Sequence, residues 1–100
     1  MNDNALSKND ILIRFSEERW RHILSEHPEL ALYPSEVLTA VSEPEAILDG
    51  QNGALLAVRL VEAGKWLVVV YRELADDGFV VTAFLTRRQA YLNKRRKLWP

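Results

Sequence analysis

Ile11, Ile13 and Phe15 alternate with Leu12 and Arg14, and this period of two predicts a short first strand. The spacing of apolar residues then changes to that of a helix. Ser16 has the position of an N-cap, because two glutamates follow it in the expected first turn. The helix is predicted to run toward Glu26 and to stop before Pro28, with Trp20 in its apolar stripe.

A second short helix is predicted between Ser35, its expected cap, and Pro44. Val, Leu, Thr and aromatic residues dominate the sequence beyond it and favour strands. The predicted strands are residues 46–48, 55–61, 66–74 and 79–86. Glycine-containing turns separate the last three strands, so these strands are expected to pair as an antiparallel meander.

Residues 87–97 follow the last predicted strand and are expected to form a basic C-terminal helix. Together the elements predict an α+β fold, in which N-terminal helices pack on an antiparallel meander of three to four strands. A chain of 100 residues, 48% of them apolar, suits one compact domain. We therefore predict a flexible N-terminus over residues 1–10, one domain over residues 11–97 and a tail over residues 98–100.

Charge is distributed unevenly along the chain. The last fourteen residues contain six basic residues and no acidic residue, whereas the preceding part contains seven basic and fourteen acidic residues. This asymmetry suggests a polyanionic partner, or an acidic surface of the same protein that the C-terminal segment covers. The alternative is a solvated helix end, because basic residues are favoured at helix C-termini.

Cysteine is absent from the sequence. Disulfides, thiolate metal sites and a cysteine nucleophile are therefore excluded. Residues 1–10 are polar, and no apolar run approaches the ~18 residues that a transmembrane helix requires. We expect a protein of the reducing cytoplasm that has no membrane contact and no cofactor.

Two histidines are the candidate acid and base groups of the sequence. His22 lies within the first predicted helix, and an imidazole titrates near neutral pH, as general acid–base catalysis requires. His27 is about 140° further around an ideal helix, unless Pro28 ends the helix first. This spacing does not provide the geometry of a metal site. The alternative is that His22 is a surface histidine between Glu18 and Glu26.

The expected register of the first hairpin places two further candidates on one face of the sheet. If Val61 pairs with Lys65 across a three-residue loop, Arg59 lies opposite Leu67. Arg59 then shares its face with Tyr71, so a guanidinium and a phenol point the same way.

The second hairpin allows two registers. A four-residue loop pairs Tyr71 with Thr82, whereas a three-residue loop pairs Arg72 with Thr82 and turns Tyr71 to the other face. The sequence does not choose between them.

Five short sequence blocks follow one another along the chain. They are E-R-W-R-H-I at residues 18–23, H-P-E-L at 27–30, P-E-A-I at 44–47, W-L-V-V-V-Y at 66–71 and V-T-A-F at 81–84. Their order and spacing resemble the small phage and toxin-type members of the barnase/EndoU/colicin/RelE-like ribonuclease superfamily. The resemblance covers approximately residues 11–88. It implies N-terminal helices packed on a curved antiparallel sheet, in agreement with the fold predicted from the residue pattern.

The resemblance also implies an activity, the metal-independent cleavage of RNA. In this reaction a ribose 2′-hydroxyl attacks the adjacent phosphate and leaves a cyclic phosphate. His22 would be the acid or base, with His27 as the second candidate. Arg59 would stabilise the negative charge of the phosphorane, and Thr82 would hydrogen-bond a non-bridging phosphate oxygen. Tyr71 would stack on a base or contact the phosphate.

Further cations are predicted to bind the flanking RNA. Arg19 and Arg21 would hold neighbouring phosphates, and Arg72 would face the substrate if the second hairpin has the shorter loop. Arg87 and Arg88 would compensate for the acidic body of the domain if the C-terminal segment folds back beside the sheet. Two alternatives remain: a non-catalytic RNA-binding module, and an interaction domain whose basic helix binds an acidic inhibitor such as an antitoxin.

Overall fold

The computed structural model describes residues 2–100, and one large sheet dominates it. Within these residues seven strands are formed: β1 (Asn2–Leu6), β2 (Leu12–Ser16), β3 (Ala46–Asp49), β4 (Leu55–Glu62), β5 (Lys65–Glu73), β6 (Asp77–Thr86) and β7 (Lys97–Trp99). Their order across the sheet is β1-β2-β6-β5-β4-β3-β7. Neighbouring strands are antiparallel, except that β2 and β6 are parallel.

The helices are short. Residues 2–100 contain α1 (Glu17–Glu26), a 3₁₀ helix (Pro28–Leu32), α2 (Glu36–Ser42) and α3 (Gln89–Asn93). Helix α1 packs against β2 and β6, whereas α2 packs against β1, β4 and β5. None of the helices within residues 2–100 combines the length and the apolar composition that crossing a bilayer requires.

The predicted fold is wrong in two respects. The sheet of residues 2–100 is mixed and has seven strands, whereas three to four antiparallel strands were expected beneath the N-terminal helices. The chain after β6 forms the five-residue helix α3 and then strand β7, so no basic helix extends over residues 87–97. In addition, β1 lies within the segment that was predicted to be flexible, although Met1 of that segment lies outside the described residues.

Pairing at the edges of the sheet explains why it is larger than predicted. Strand β1 pairs with β2, and β7 pairs with β3 at the opposite edge. An edge strand exposes unpaired backbone N–H and C=O groups, and these terminal segments satisfy many of them. The meander of β3 to β6 ends beside β2, so Ile13 comes to lie opposite Gly78 in a parallel pair.

The start and end of α1 confirm the sequence analysis. Ser16 has extended backbone angles, and its Oγ accepts a hydrogen bond from the N–H of Arg19 at 3.1 Å. Trp20 packs edge-on against Phe15, with 5.8 Å between ring centroids. The helix ends at Glu26, with His27 as its C-cap, as the following proline predicts. Ser35 occupies the N-cap position of α2, as predicted, but its side chain makes no capping hydrogen bond.

The sheet has two apolar faces, because β5 is apolar at both sets of alternating positions. The helix face, covered by α1 and α2, carries the larger buried cluster: Ile13, Phe15, Ile23, Leu30, Val37, Ala40, Val41, Ala57, Leu67, Val69, Tyr71, Val80 and Ala83. The opposite face, which we name the open face, carries a smaller cluster: Leu48, Leu56, Val58, Val68 and Leu92, with Trp66, Val70 and Phe84 partly buried beside it. Helix α3 supplies Leu92 and covers one end of the open face.

Candidate functional site

Arg59 lies opposite Leu67, and this part of the predicted register of the first hairpin is confirmed. The predicted pair of Val61 with Lys65 is wrong, because Glu62 pairs with Lys65 and the register shifts between Leu60 and Glu62. The guanidinium therefore points to the helix face, where it contacts α2. Its Nε lies 3.6 Å from a carboxylate oxygen of Glu36, and its Nη1 donates a hydrogen bond to the backbone carbonyl of Glu43 at 2.7 Å. Both contacts attach α2 to β4.

We predict that Arg59→Ala lowers the free energy of unfolding by about 1 kcal/mol, because it removes a half-buried ion pair and a charge-assisted hydrogen bond. Urea denaturation measures the change. Arg21→Ala is the matched control, because Arg21 is exposed and its guanidinium lies 3.9 Å from Glu17. The control is expected to change stability by less than about 0.5 kcal/mol. Equal changes in the two variants would contradict a structural role for Arg59.

Both predicted registers of the second hairpin are wrong. Thr82 is opposite Val70, whereas Tyr71 is opposite Val80, so Val81 is an extra residue in β6. Such a β-bulge reverses the facing of the strand on its two sides. As a result, Tyr71 points to the helix face and Thr82 points to the open face.

Tyr71 is fully buried within the helix-face cluster. Its hydroxyl has no hydrogen-bond partner in the part of the chain that the structure describes. Burial raises the pKa of Tyr71 far above the ordinary value of tyrosine, and the Glu73 carboxylate acts in the same direction. A side chain without exposed surface does not reach a bound RNA, so Tyr71 belongs to the core.

We predict that Tyr71→Phe raises the free energy of unfolding by about 1 kcal/mol at neutral pH, because it removes a buried hydroxyl without a partner. The difference should grow above pH ~10, where the exposed tyrosine of the unfolded state ionises while the folded state keeps its proton. The wild type therefore loses stability there as pH rises, and the variant lacks this component. Urea denaturation of the wild type and of Tyr71→Phe, at neutral pH and above pH ~10, tests this prediction. A variant less stable than the wild type at neutral pH would contradict it.

Arg19 and His22 of α1 line a common pocket together with Ser16 and Glu18. A second pocket shares Ser16 and Arg19 and is lined also by Arg14, Phe79 and Val80. The two pockets together follow the boundary between α1 and the start of β6, and we name them the α1–β6 groove. Arg19 and His22 are three residues apart and therefore lie on one side of the helix.

Each histidine has a glutamate beside it. His22 is 55% exposed at its side chain, and its Nε2 lies 3.4 Å from Oε1 of Glu26. The Nδ1 atom of His27 lies 3.7 Å from Oε2 of Glu29. A carboxylate this close to a ring nitrogen orients the ring. Both histidines therefore have surroundings compatible with proton transfer.

His27 is placed where the end of α1 reaches the edge of β6. Its ring lies 6.3 Å from the ring of Phe84, which is partly buried on the open face. Thr82 lies two residues before Phe84 and points to the same face of β6. The structure thus places His27 beside Phe84, and it places His22 and Arg19 along the α1–β6 groove.

Two other arginines named from the sequence make local contacts. Arg21 faces Glu17 on the exposed side of α1 and does not line the α1–β6 groove. Arg72 lies opposite Phe79 on the open face, and its Nη1 donates a hydrogen bond to the carbonyl of Asn52 at 2.7 Å. This bond anchors the loop between β3 and β4.

Arg87 and Arg88 are both exposed and follow β6 directly. The N–H of Arg88 donates a hydrogen bond to Oγ1 of Thr86 at 3.1 Å, which turns the chain toward α3. Their position beside the open face leaves both side chains available to an anionic ligand.

Sequence analysis missed Arg14 and Phe79, which line the α1–β6 groove. Arg14 alternates with the buried Ile13 and Phe15, so the pattern already places its side chain away from the helix face. Its guanidinium lies 2.9 Å from the carboxylate of Asp77. The contribution of Phe79 depends on the parallel pairing of β2 with β6, which leaves no local trace in the sequence.

Neither a metal-binding cluster nor a similar protein of known function identifies the site further. Among residues 2–100, no group of three or more His, Asp or Glu side chains is placed to hold a metal ion. Comparisons of the chain with protein-family models, with curated proteins and with solved structures found no match.

Proposed function

We propose that this protein is a metal-independent endoribonuclease, which cleaves RNA by attack of a 2′-hydroxyl and leaves a cyclic phosphate. One observation carries the proposal: an imidazole, that of His22, and a guanidinium, that of Arg19, line the same accessible pocket. An imidazole transfers protons near neutral pH, and a guanidinium binds phosphate. The resemblance of the sequence to toxin-type ribonucleases supports the same chemistry.

In the proposed reaction a base removes the proton of the 2′-hydroxyl, and this oxygen forms a bond to the adjacent phosphorus. The bond from phosphorus to the 5′-oxygen then breaks, and an acid gives a proton to the leaving oxygen. We assign one of these proton transfers to His22, whose ring is oriented by Glu26. Arg19 neutralises the charge that develops on the phosphate oxygens. His27 is the second candidate for proton transfer, and Thr82, on the open face of β6, is a candidate hydrogen-bond donor.

Arg59 has no place in this site, because its guanidinium contacts Glu36 and the carbonyl of Glu43 on α2. The resemblance gives Arg59 the role of stabilising the negative charge of the phosphorane. The geometry favours Arg19 for this role, with Arg14 in the adjoining pocket. Because Glu18 also lines the first pocket, binding of RNA here depends on additional cations elsewhere.

The test is incubation of the pure protein with a mixed RNA pool in the presence of EDTA, followed by mapping of the new ends. Cleavage that leaves cyclic phosphates is the expected result. RNA that stays intact beside folded protein would contradict the proposal. Because the chain lacks cysteine, we place this activity in the reducing cytoplasm.

The second candidate function is a non-catalytic RNA-binding module. The observation in its favour is that Arg59 and Tyr71, two residues to which the resemblance assigns catalytic or binding roles, are held in contacts within the domain. Such a module would bind RNA without cleaving it. An acidic inhibitor protein is a partner compatible with either function, because the C-terminal segment is strongly basic.

A further inference from the structure

The C-terminal segment forms a second polar pocket, apart from the α1–β6 groove. Strand β7 pairs with β3, and the N–H of Asp49 donates a hydrogen bond to the carbonyl of Arg96 at 2.8 Å. This contact holds the chain between α3 and β7 against the end of β3. The pocket, which we name the basic pocket, is lined by Asp49, Gln51, Tyr91, Lys94, Arg95 and Arg96.

Arg95 is fixed within the basic pocket. Its Nη2 donates a hydrogen bond to the hydroxyl of Tyr91 at 2.9 Å, and its guanidinium lies 5.2 Å from the centre of that ring. Its Nη1 donates to the carbonyl of Asp49 at 3.3 Å. The Nε atom is buried and has no hydrogen-bond partner within residues 2–100. Arg95 therefore carries a positive charge that no carboxylate in the described chain neutralises.

Lys94 and Arg96 place two more cations at the pocket, and both side chains are exposed. Among residues 2–100 neither side chain forms an ion pair. Asp49 is the acidic residue of the lining, and its carboxylate accepts a hydrogen bond from the N–H of Gln51 at 2.8 Å. Three cations against one carboxylate give the lining of the pocket a net positive charge.

We infer that the basic pocket binds a backbone phosphate of single-stranded RNA, at a subsite distinct from the α1–β6 groove. The inference rests on the proposed function for the identity of the nucleic acid. Arginine forks and lysine ammonium groups bind phosphate oxygens. Tyr91 remains 40% exposed beside the cations and offers an aromatic surface to a base. Cations next to an aromatic side chain are the combination that binds single strands.

An acidic protein is the competing occupant, because carboxylates also pair with lysine and arginine. The aromatic side chain favours RNA, since it adds stacking that an acidic peptide does not use. The subsite also compensates for the acidic body of the domain, because the last fourteen residues contain six basic residues and no acidic one. An RNA that reaches both sites would therefore be cleaved in the α1–β6 groove and held by the positive charge of the basic pocket.

The test measures binding of a fluorescent 2′-O-methyl oligouridylate, which lacks the attacking hydroxyl and cannot be cleaved, by anisotropy. We expect Lys94→Gln and Arg96→Gln each to weaken binding about fivefold at about 0.1 M salt and to reduce the salt slope by about 0.7. Lys65→Gln is the charge-matched control, because Lys65 lies at the β4–β5 turn and does not line the basic pocket. Its ammonium group lies 3.9 Å from the carboxylate of Glu62. This control is expected to bind like the wild type.

Equal binding by Lys94→Gln, Arg96→Gln and the wild type would overturn the subsite. Polyglutamate that binds the wild type more tightly than the oligouridylate, and loses this affinity in the same variants, would overturn it in favour of an acidic protein partner. The RNA-cleavage assay with EDTA is scored separately. If the wild type cleaves RNA but the two variants bind the oligouridylate as the wild type does, the subsite alone is rejected. If the two variants bind more weakly but the wild type does not cleave RNA, the ribonuclease alone is rejected.

Discussion

His22→Ala is expected to slow the proposed RNA cleavage by about 10²- to 10⁴-fold, the contribution of one well-placed acid or base. The ring of His22 lines a pocket with Arg19 and has Glu26 at 3.4 Å. Because its side chain is 55% exposed, its removal should leave the fold intact. Initial rates on a defined RNA, with circular dichroism as a check on folding, measure the effect.

Arg21→Ala is the control for His22→Ala, because it changes the adjacent position of α1 without changing the pocket. Its loss of one surface cation is expected to reduce cleavage by at most about fivefold. The pH–rate profile gives a second criterion, since loss of a proton-transferring imidazole removes one limb of the profile. Equal losses in the two variants, or an unchanged profile, would show that His22 transfers no proton in the reaction.

The local predictions from the sequence succeed where neighbouring residues alone determine the structure. Ser16 caps α1 because its hydroxyl reaches the N–H of Arg19, three residues away. Pro28 ends the same helix because it disfavours the helical conformation of His27. Gly64, at the first hairpin turn, has φ of +74°, as a left-handed position requires. Each of these features is settled within one turn of chain.

The predictions fail where distant segments decide the structure. Strand β1 and strand β7 contain few residues, and only their pairing with β2 and β3 makes them strands. The extra residue Val81 in β6 is equally invisible in the alternating pattern of the strand, yet it determines that Thr82 faces the open side. The candidate site is affected in the same way. His22 and Arg19 could be named from one helix, whereas Phe79 reaches the pocket that it shares with Arg19 only because β2 pairs with β6.

The largest effect on stability is expected at Gly78, which lies in β6 between Ile13 of β2 and Glu73 of β5. A Cβ atom at this position would lie 2.1 Å from the carbonyl oxygen of Arg72 and 2.7 Å from Cδ1 of Ile13. The first contact is with backbone, so the strand itself must move. We predict that Gly78→Ala lowers the free energy of unfolding by about 3 kcal/mol.

Gly64→Ala is the matched control for Gly78→Ala. A Cβ atom at Gly64 meets nothing within 4 Å, so the substitution costs only the strain of a left-handed conformation, about 1 kcal/mol. Urea denaturation of both variants separates steric exclusion from backbone strain. Similar losses in the two variants would contradict the close packing of β2, β6 and β5 around Gly78. This packing also places Phe79 beside Arg14. The proposed RNA cleavage should therefore decrease in Gly78→Ala along with its stability, and it should remain close to the wild-type rate in Gly64→Ala.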